Sequence, residues 1–121
     1  MAEFRYLNVN PDQTKTNDCV TRAISLSSGI PYAKVRKMLY HTAQLLDCEK
    51  LCMTCYSHLI EYVIGGRQRN CEGMTVGEFA DLHPKGTYLI RISGHLTMIQ
   101  DNTIYDIWDC RNRMCDVAWE M

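Results

Sequence analysis

The spacing of apolar residues changes once along this chain, near Gly86, and this change sets the fold class. Before Gly86, apolar residues recur at helical spacing, which predicts helices that begin at Cys19, Pro31, Tyr56 and Thr75. After it, segments rich in β-branched and aromatic residues predict strands over 87–92, 95–100, 103–108 and 117–119. Residues 4–9 alternate weakly and predict an edge strand. The order indicates an α+β fold in which N-terminal helices pack on a C-terminal antiparallel β-sheet.

The length of the chain corresponds to one domain. It has 121 residues, and no repeat, low-complexity tract or Pro/Gly/Ser-rich linker divides it, so we predict a single domain over 1–121. A formal net charge of −1 gives no reason to expect a nucleic-acid partner. The apolar runs are shorter than the about 20 residues that a membrane span needs, so no membrane partner is expected either.

The cysteines and the start of the chain bear on the compartment. Residues 1–5 lack the basic region and following apolar run of a secretory signal. Seven cysteines cannot all pair within one chain, and thiols stay reduced in the cytosol. We therefore expect a cytoplasmic protein with free thiols. The sequence gives no prediction of the oligomeric state.

Cys19 lies at the first turn of the first predicted helix, directly after two residues that commonly cap helices, Asn17 and Asp18. The N-terminus of a helix stabilises a thiolate through its dipole and its unpaired amides, so a nucleophile is well placed there. Attack on a carbonyl also needs donors for the developing oxyanion, and the backbone amide of Cys19 and the side-chain amide of Gln13 are the candidates. The alternative is a buried helical cysteine beside a solvated glutamine.

The dipeptide Asp101–Asn102 predicts a two-residue turn that joins two strands into a hairpin. With this register, His95 and Asp106 are diagonal neighbours on one face of the sheet, which Thr97 and Trp108 share. A carboxylate on one imidazole nitrogen orients the ring, so that the other nitrogen can serve a nucleophile. The alternative is a histidine at the rim of the sheet and an aspartate in solvent.

Two other parts of the chain carry structural expectations. Trp108 and Trp119 are predicted to lie in the core, because large aromatic rings bury the most apolar surface. Residues 67–70 follow two glycines and predict an exposed loop.

Together, the cysteine segment and the hairpin resemble a papain-like cysteine peptidase reduced to its minimal core. In that family a Cys begins a helix packed on an antiparallel sheet, a His opens a later strand, and an Asn or Asp on the next strand orients the His. A Gln commonly lies six positions before the Cys. Cys19, His95, Asp106 and Gln13 match these positions in the same chain order. An apolar strand after Gly94 and His95 is similar to the small bacteriocin-processing branch, which suggests a phage or bacterial protein.

The resemblance implies a cysteine hydrolase that acts on a peptide, isopeptide or amide bond of a peptide or protein substrate. Cys19 is then the nucleophile, and His95 is the base that takes its proton and later delivers it to the leaving amine. Asp106 orients the imidazole, and Gln13 helps to bind the oxyanion. No cofactor is expected. Val20 follows the nucleophile where larger members have Gly or Trp, so the substrate specificity is not transferred.

Two alternatives stay open. One is a non-catalytic protein-binding module that keeps the papain-like scaffold. The other is a small Cys-rich metal-binding domain built on Cys48, Cys52 and Cys55, with His58 or Cys71 as a fourth ligand of a zinc ion or an iron–sulfur cluster. The same spacing on a helix is also typical of small core residues that form one apolar stripe.

Overall fold

Helices precede most of the strands, as the sequence predicts. The computed structural model describes residues 1–13, 18–49 and 52–121, and in these residues the fold is α+β, with four α-helices and a six-stranded mixed sheet. The helices are α1 (Cys19–Ser28), α2 (Tyr32–Leu46), α3 (Met53–His58), which continues into a π-helical segment (Leu59–Ile64), and α4 (Val76–Leu82). The strands are β1 (Glu3–Tyr6), β2 (Arg67–Arg69), β3 (Thr87–Ile92), β4 (His95–Gln100), β5 (Thr103–Asp106) and β6 (Val117–Glu120).

Local sequence signals set the ends of two helices. Gly29 adopts a φ of 75°, and its amide donates to the Ser25 carbonyl at 3.0 Å, which ends α1. Before α4, the Thr75 hydroxyl accepts from the Glu78 amide at 3.1 Å, while the Glu78 carboxylate accepts from the Thr75 amide at 3.0 Å. This is a capping box, which the Thr-x-x-Glu pattern predicts.

Helix α3 differs from the sequence prediction. It begins at Met53 rather than at Tyr56, and from Leu59 it widens into the π-helical segment. The amide of Gly65 donates to the Ile60 carbonyl at 2.9 Å, the five-residue step of that wider turn. A π-helical segment of six residues is too short for its apolar pattern to distinguish it from an α-helix.

The hairpin of β4 and β5 has the predicted register. Ile99 pairs with Ile104 around the turn Asp101–Asn102, whose residues have φ angles of 49° and 66°. Positive φ at both positions defines a type I′ turn, which matches the twist of the flanking strands. Because side chains alternate along each strand, this register places His95 and Asp106 on the same face.

The sheet is mixed, whereas the sequence predicts an antiparallel one. Its strand order is β1-β5-β4-β3-β6-β2, and the edge strand β1 pairs in parallel with β5. The opposite edge is β2, which the sequence predicts as part of a loop and which pairs with β6. All residues of β2 are exposed, so no apolar alternation marks it as a strand. Strand β5 ends at Asp106 and does not extend to Trp108.

Apolar side chains cover both faces of the sheet. On one face, α1, α2, α3 and the π-helical segment pack against Leu89, Leu96 and Trp119, which is fully buried as predicted. On the other face, α4 packs against Ile90 and Ile99.

A bilayer-spanning helix, which needs both length and apolar composition, is not found in the described part of the chain. Helix α1 packs on β4 and brings its N-terminus to the end of the sheet where β4 begins.

Candidate active site

His95 and Asp106 lie at the end of the sheet where β4 begins and β5 ends. Nε2 of the His95 ring lies 2.6 Å from Oδ2 of Asp106, as the hairpin register predicts. Asp106 is 2% exposed, so water has almost no access to its carboxylate. Burial alone would lower the pKa of His95. The Asp106 carboxylate and the Cys19 thiol outweigh this effect and raise the pKa from 6.5 to about 9. The imidazole is therefore protonated at neutral pH.

Cys19 is the first residue of α1, and its thiol lies beside His95. Because Asp106 occupies Nε2 of His95, the ring nitrogen that is left for the thiol is Nδ1. Burial raises the pKa of Cys19, but the interactions with His95, with the backbone of Leu96 and with the Arg22 charge outweigh it, so the pKa is lowered from its usual value of 9. Both shifts are in the direction that favours a thiolate–imidazolium pair.

The buried guanidinium of Arg22 links the Asp106 carboxylate to a second carboxylate, that of Asp18. Nη1 of Arg22 donates to Oδ1 of Asp106 at 3.1 Å, and Nε of Arg22 donates to Oδ1 of Asp18 at 2.7 Å. Oδ2 of Asp18 accepts from the Tyr32 hydroxyl at 2.7 Å and from Nδ2 of Asn10 at 2.9 Å. Negative and positive side chains therefore alternate from Asp18 through Arg22 and Asp106 to the His95 imidazole, which lies beside the Cys19 thiol.

The sequence analysis did not assign a role to Arg22 or Tyr32. The Asp18–Arg22 spacing is a visible signal for an ion pair on a helix, but nothing in it shows that the guanidinium also reaches Asp106. Asp18 occupies the N-cap of α1, as predicted, yet its side chain makes no capping hydrogen bond and binds Arg22 and Tyr32 instead. The other predicted cap, Asn17, lies outside the described residues.

Trp108 packs against His95, with 5.0 Å between the ring centroids. The sequence predicts Trp108 in the core, but it is 37% exposed, because β5 ends before it and the chain leaves the sheet. The guanidinium of Arg113 lies over the Trp108 ring, 5.9 Å from its centre. Trp108 therefore shields one side of the imidazole from solvent.

A cavity of about 340 Å³ opens beside Cys19 and His95. Its other lining residues are Val20, Cys52, Met53, Tyr56, Arg91 and Gly94. Gln13, the predicted oxyanion donor, does not line this cavity. Its side-chain amide donates to the carbonyls of Asn8 at 2.9 Å and Asn10 at 3.0 Å. The role of Gln13 stays a prediction, while the backbone amide of Cys19 lies in the first helical turn, where amides lack an intrahelical acceptor.

The three cysteines considered as metal ligands do not lie on one helical stripe. Cys48 follows α2, Cys52 is the N-cap of α3, and Cys55 lies inside α3, where its thiol donates to the Leu39 carbonyl at 3.4 Å. Burial, together with the nearby Cys48 and Cys52, raises the pKa of Cys55 to about 12. The sulfur atoms of these three cysteines are not among the groups of three potential ligand atoms that lie within 4.8 Å of one another in the described part of the chain.

Another group of potential metal ligands lies within the site itself. In the described part of the chain, one ligand atom from each of His95, Asp106 and Cys110 lies within 4.8 Å of the others. Burial raises the pKa of Cys110 to about 12, and the oxygens of Asp106 already accept from Arg22 and contact His95. These contacts suit the carboxylate to hold the imidazole rather than to bind a cation.

The comparisons with known proteins add no relative. No protein-family model, no curated protein and no solved structure matches this chain. The resemblance to papain-like peptidases therefore depends on the matched residues alone, and the function has to be argued from the chemistry of the site.

Proposed function

We propose that this protein is a papain-like cysteine hydrolase that cleaves a peptide, isopeptide or amide bond. The observation that carries the proposal is the arrangement of Cys19, His95 and Asp106, in which a buried carboxylate holds Nε2 of an imidazole and a helix N-terminus presents a thiol to the ring. The opposite pKa shifts of Cys19 and His95 give the ion pair that thiol nucleophiles use.

In the first half of the reaction, the Cys19 thiolate attacks the carbonyl carbon, a sulfur–carbon bond forms, and the carbonyl oxygen takes the negative charge. The backbone amide of Cys19 donates to this oxyanion. The intermediate then collapses, the carbon–nitrogen bond breaks, and the His95 imidazolium gives its proton to the leaving amine. The product of this half is a thioester between Cys19 and the acyl group.

In the second half, neutral His95 takes a proton from a water molecule, which attacks the thioester carbon. Expulsion of the Cys19 thiolate releases the acid and restores the ion pair with the His95 imidazolium. Asp106 stays ionised throughout, because burial raises its pKa less than His95 and its other hydrogen-bond partners lower it. Its task is to fix the orientation of the imidazole and to stabilise the imidazolium.

The proposal includes a peptide or protein substrate, no cofactor, and no nucleic-acid or membrane partner. A cytoplasmic location is part of it, and the seven free cysteines support a reducing compartment. The papain-like assignment of the fold is also part of it. Its support is that the helix bearing Cys19 packs on the strand that His95 opens, with Asp106 on the next strand.

The test is alkylation by iodoacetamide at a series of pH values, followed by mass spectrometry of each cysteine-containing peptide. We expect Cys19 to be labelled faster than the other cysteines below neutral pH, and its labelling to slow in His95→Ala, because the imidazolium lowers the pKa of the thiol. Cys55 and Cys110 serve as internal controls, since burial holds the pKa of each near 12. We also expect Cys19→Ala to abolish hydrolysis of any peptide or amide substrate that the unaltered protein cleaves.

Uniform labelling of several cysteines contradicts a privileged nucleophile. It favours the alternative of a non-catalytic protein-binding module. The metal-binding alternative has its own readout, because stoichiometric zinc or iron that is lost in Cys52→Ser would support it.

A further inference from the structure

Arg91 places a positive charge in the wall of the cavity that the candidate nucleophile, Cys19, also lines. It lies on β3 opposite Leu96, while the next pair along the two strands, Ile92 and His95, ends the ladder beside the site. The side chain of Arg91 is 27% exposed and lines the same cavity as Cys19 and His95.

Two neighbours fix the guanidinium of Arg91. Nε donates to the Tyr56 hydroxyl at 2.8 Å, and Nη1 forms an ion pair with Oδ2 of Asp116. In the described part of the chain, Nη2 has no acceptor, and a guanidinium presents its donors in a rigid fork. Arg91 is therefore held in place and keeps donors free for a ligand.

The groups that line the cavity favour an anion. Its described lining contains no carboxylate, and the thiolate of Cys19 is balanced by the imidazolium of His95. Asp116, which is 53% exposed, offsets part of the Arg91 charge from outside this lining. A carboxylate can accept from Nη2 of Arg91, and charge-assisted hydrogen bonds of this kind are stronger than neutral ones.

We propose that Arg91 makes the site selective for substrates that carry a carboxylate close to the carbonyl that Cys19 attacks. This inference depends on the proposed function, because it assigns the substrate class of the same site. The carboxylate is either an acidic side chain or a chain terminus, and both present the same group to the guanidinium.

The test compares two alkylating agents that differ in charge but react in the same way. Iodoacetate and iodoacetamide both form a bond between the Cys19 sulfur and a methylene carbon, and both release iodide. The ratio of their rate constants at Cys19 therefore reports how strongly the cavity favours a carboxylate. The positive charge of His95 contributes to this ratio in every variant. The effect of Arg91 is therefore measured as the change in the ratio when Arg91 is replaced.

In Arg91→Gln, we expect the ratio of iodoacetate to iodoacetamide rates to fall on the order of tenfold, the size expected for one hydrogen bond to a charged group. In Asp116→Asn the ratio rises, because a neighbour that offsets the Arg91 charge is lost while the shape is kept. The matched control is Arg67→Gln on the exposed strand β2, which makes the same change in net charge and leaves the ratio unaltered.

Protection experiments distinguish the two sources of the carboxylate. N-acetylglutamic acid amide offers a side-chain carboxylate, N-acetylalanine a terminal one, and N-acetylalaninamide none. We expect one of the two acids to slow the iodoacetamide reaction of Cys19 more than the amide does, and that acid identifies the source.

A ratio that is equal in the unaltered protein, Arg91→Gln and Arg67→Gln overturns the inference, as does equal protection by all three compounds. In either case, the proposed function is still supported if iodoacetamide labels Cys19 selectively. Loss of that selectivity in the unaltered protein overturns the proposed function instead.

Discussion

Arg22 is the residue on which the site depends most without touching a substrate. It is 4% exposed, and its guanidinium lies between the carboxylates of Asp18 and Asp106. Burying an ion is costly unless opposite charges compensate it, and here one cation is shared by two anions. Because Asp106 also contacts His95, Arg22 helps to hold the carboxylate that orients the imidazole.

Replacement of Arg22 by Met leaves the buried Asp18 carboxylate without its cation and removes one of the two cationic partners of Asp106. We expect the free energy of unfolding at neutral pH to fall by about 3–5 kcal/mol, the cost of breaking a buried ion pair on one side. Chemical denaturation measures this change, and Arg36→Met on the exposed side of α2 is the control that removes an arginine from the surface.

The pH dependence of the same variant has a definite sign. In the unaltered protein the pKa values of Asp18 and Asp106 are lowered, so their stabilising contribution is present above pH 4 and is lost as the pH falls through those values. Without Arg22, Asp18 loses the interaction that lowers its pKa most, and burial then favours its protonated form. The stability deficit of Arg22→Met therefore shrinks as the pH falls from 7 towards 4, and a constant deficit would show that the ion pairs do not cause it.

At the scale of elements, the site depends on the two turns that frame β4. The type I′ turn at Asp101–Asn102 sets which residues of β4 and β5 face each other, and a slip of one residue would turn His95 and Asp106 to opposite faces. The other turn, before β4, contains Gly94 with a φ of 71° directly next to His95. A glycine adopts this conformation without strain, whereas most other residues do not.

Substitution of Gly94 by Ala tests this second turn. Apart from the two adjacent residues, no atom in the described part of the chain lies within 4 Å of the added Cβ, so the cost comes from the backbone conformation. We expect a loss of about 1–2 kcal/mol in the free energy of unfolding, measured by chemical denaturation. Ser93→Ala, one residue earlier and also exposed, is the matched control and should change stability by less than about 0.5 kcal/mol. Equal effects of the two substitutions would contradict the role of the positive φ.

Part of this architecture could be predicted from the sequence because its causes are local. The turn dipeptide fixed the hairpin register, and alternation along the strands then brought His95 and Asp106 together. The Thr75 capping box and the start of α1 at Cys19 are equally local. By contrast, the parallel pairing of β1 and the contact of Arg22 with Asp106 depend on how distant segments pack. Neither leaves a pattern within a short window of residues.

At the scale of the whole molecule, the site lies where the helical layer meets one end of the sheet. The helices α1, α2 and α3 share one apolar cluster with the sheet, and this cluster fixes α1 against β4. The thiol comes from the start of α1 and the imidazole from the start of β4, so the two groups meet only in the folded chain. The fold thereby supplies the contact on which the proposed thiolate–imidazolium pair depends.

The measurement that tests this account most directly is an NMR titration of the His95 ring in the unaltered protein, Cys19→Ser and Asp106→Asn. We predict that the pKa of His95 is about 9 in the unaltered protein and falls in each variant, because Asp106 and Cys19 both raise it against the effect of burial. A His95 that titrates near 6.5 and does not respond to Cys19→Ser would contradict the thiolate–imidazolium pair and, with it, the proposed hydrolase.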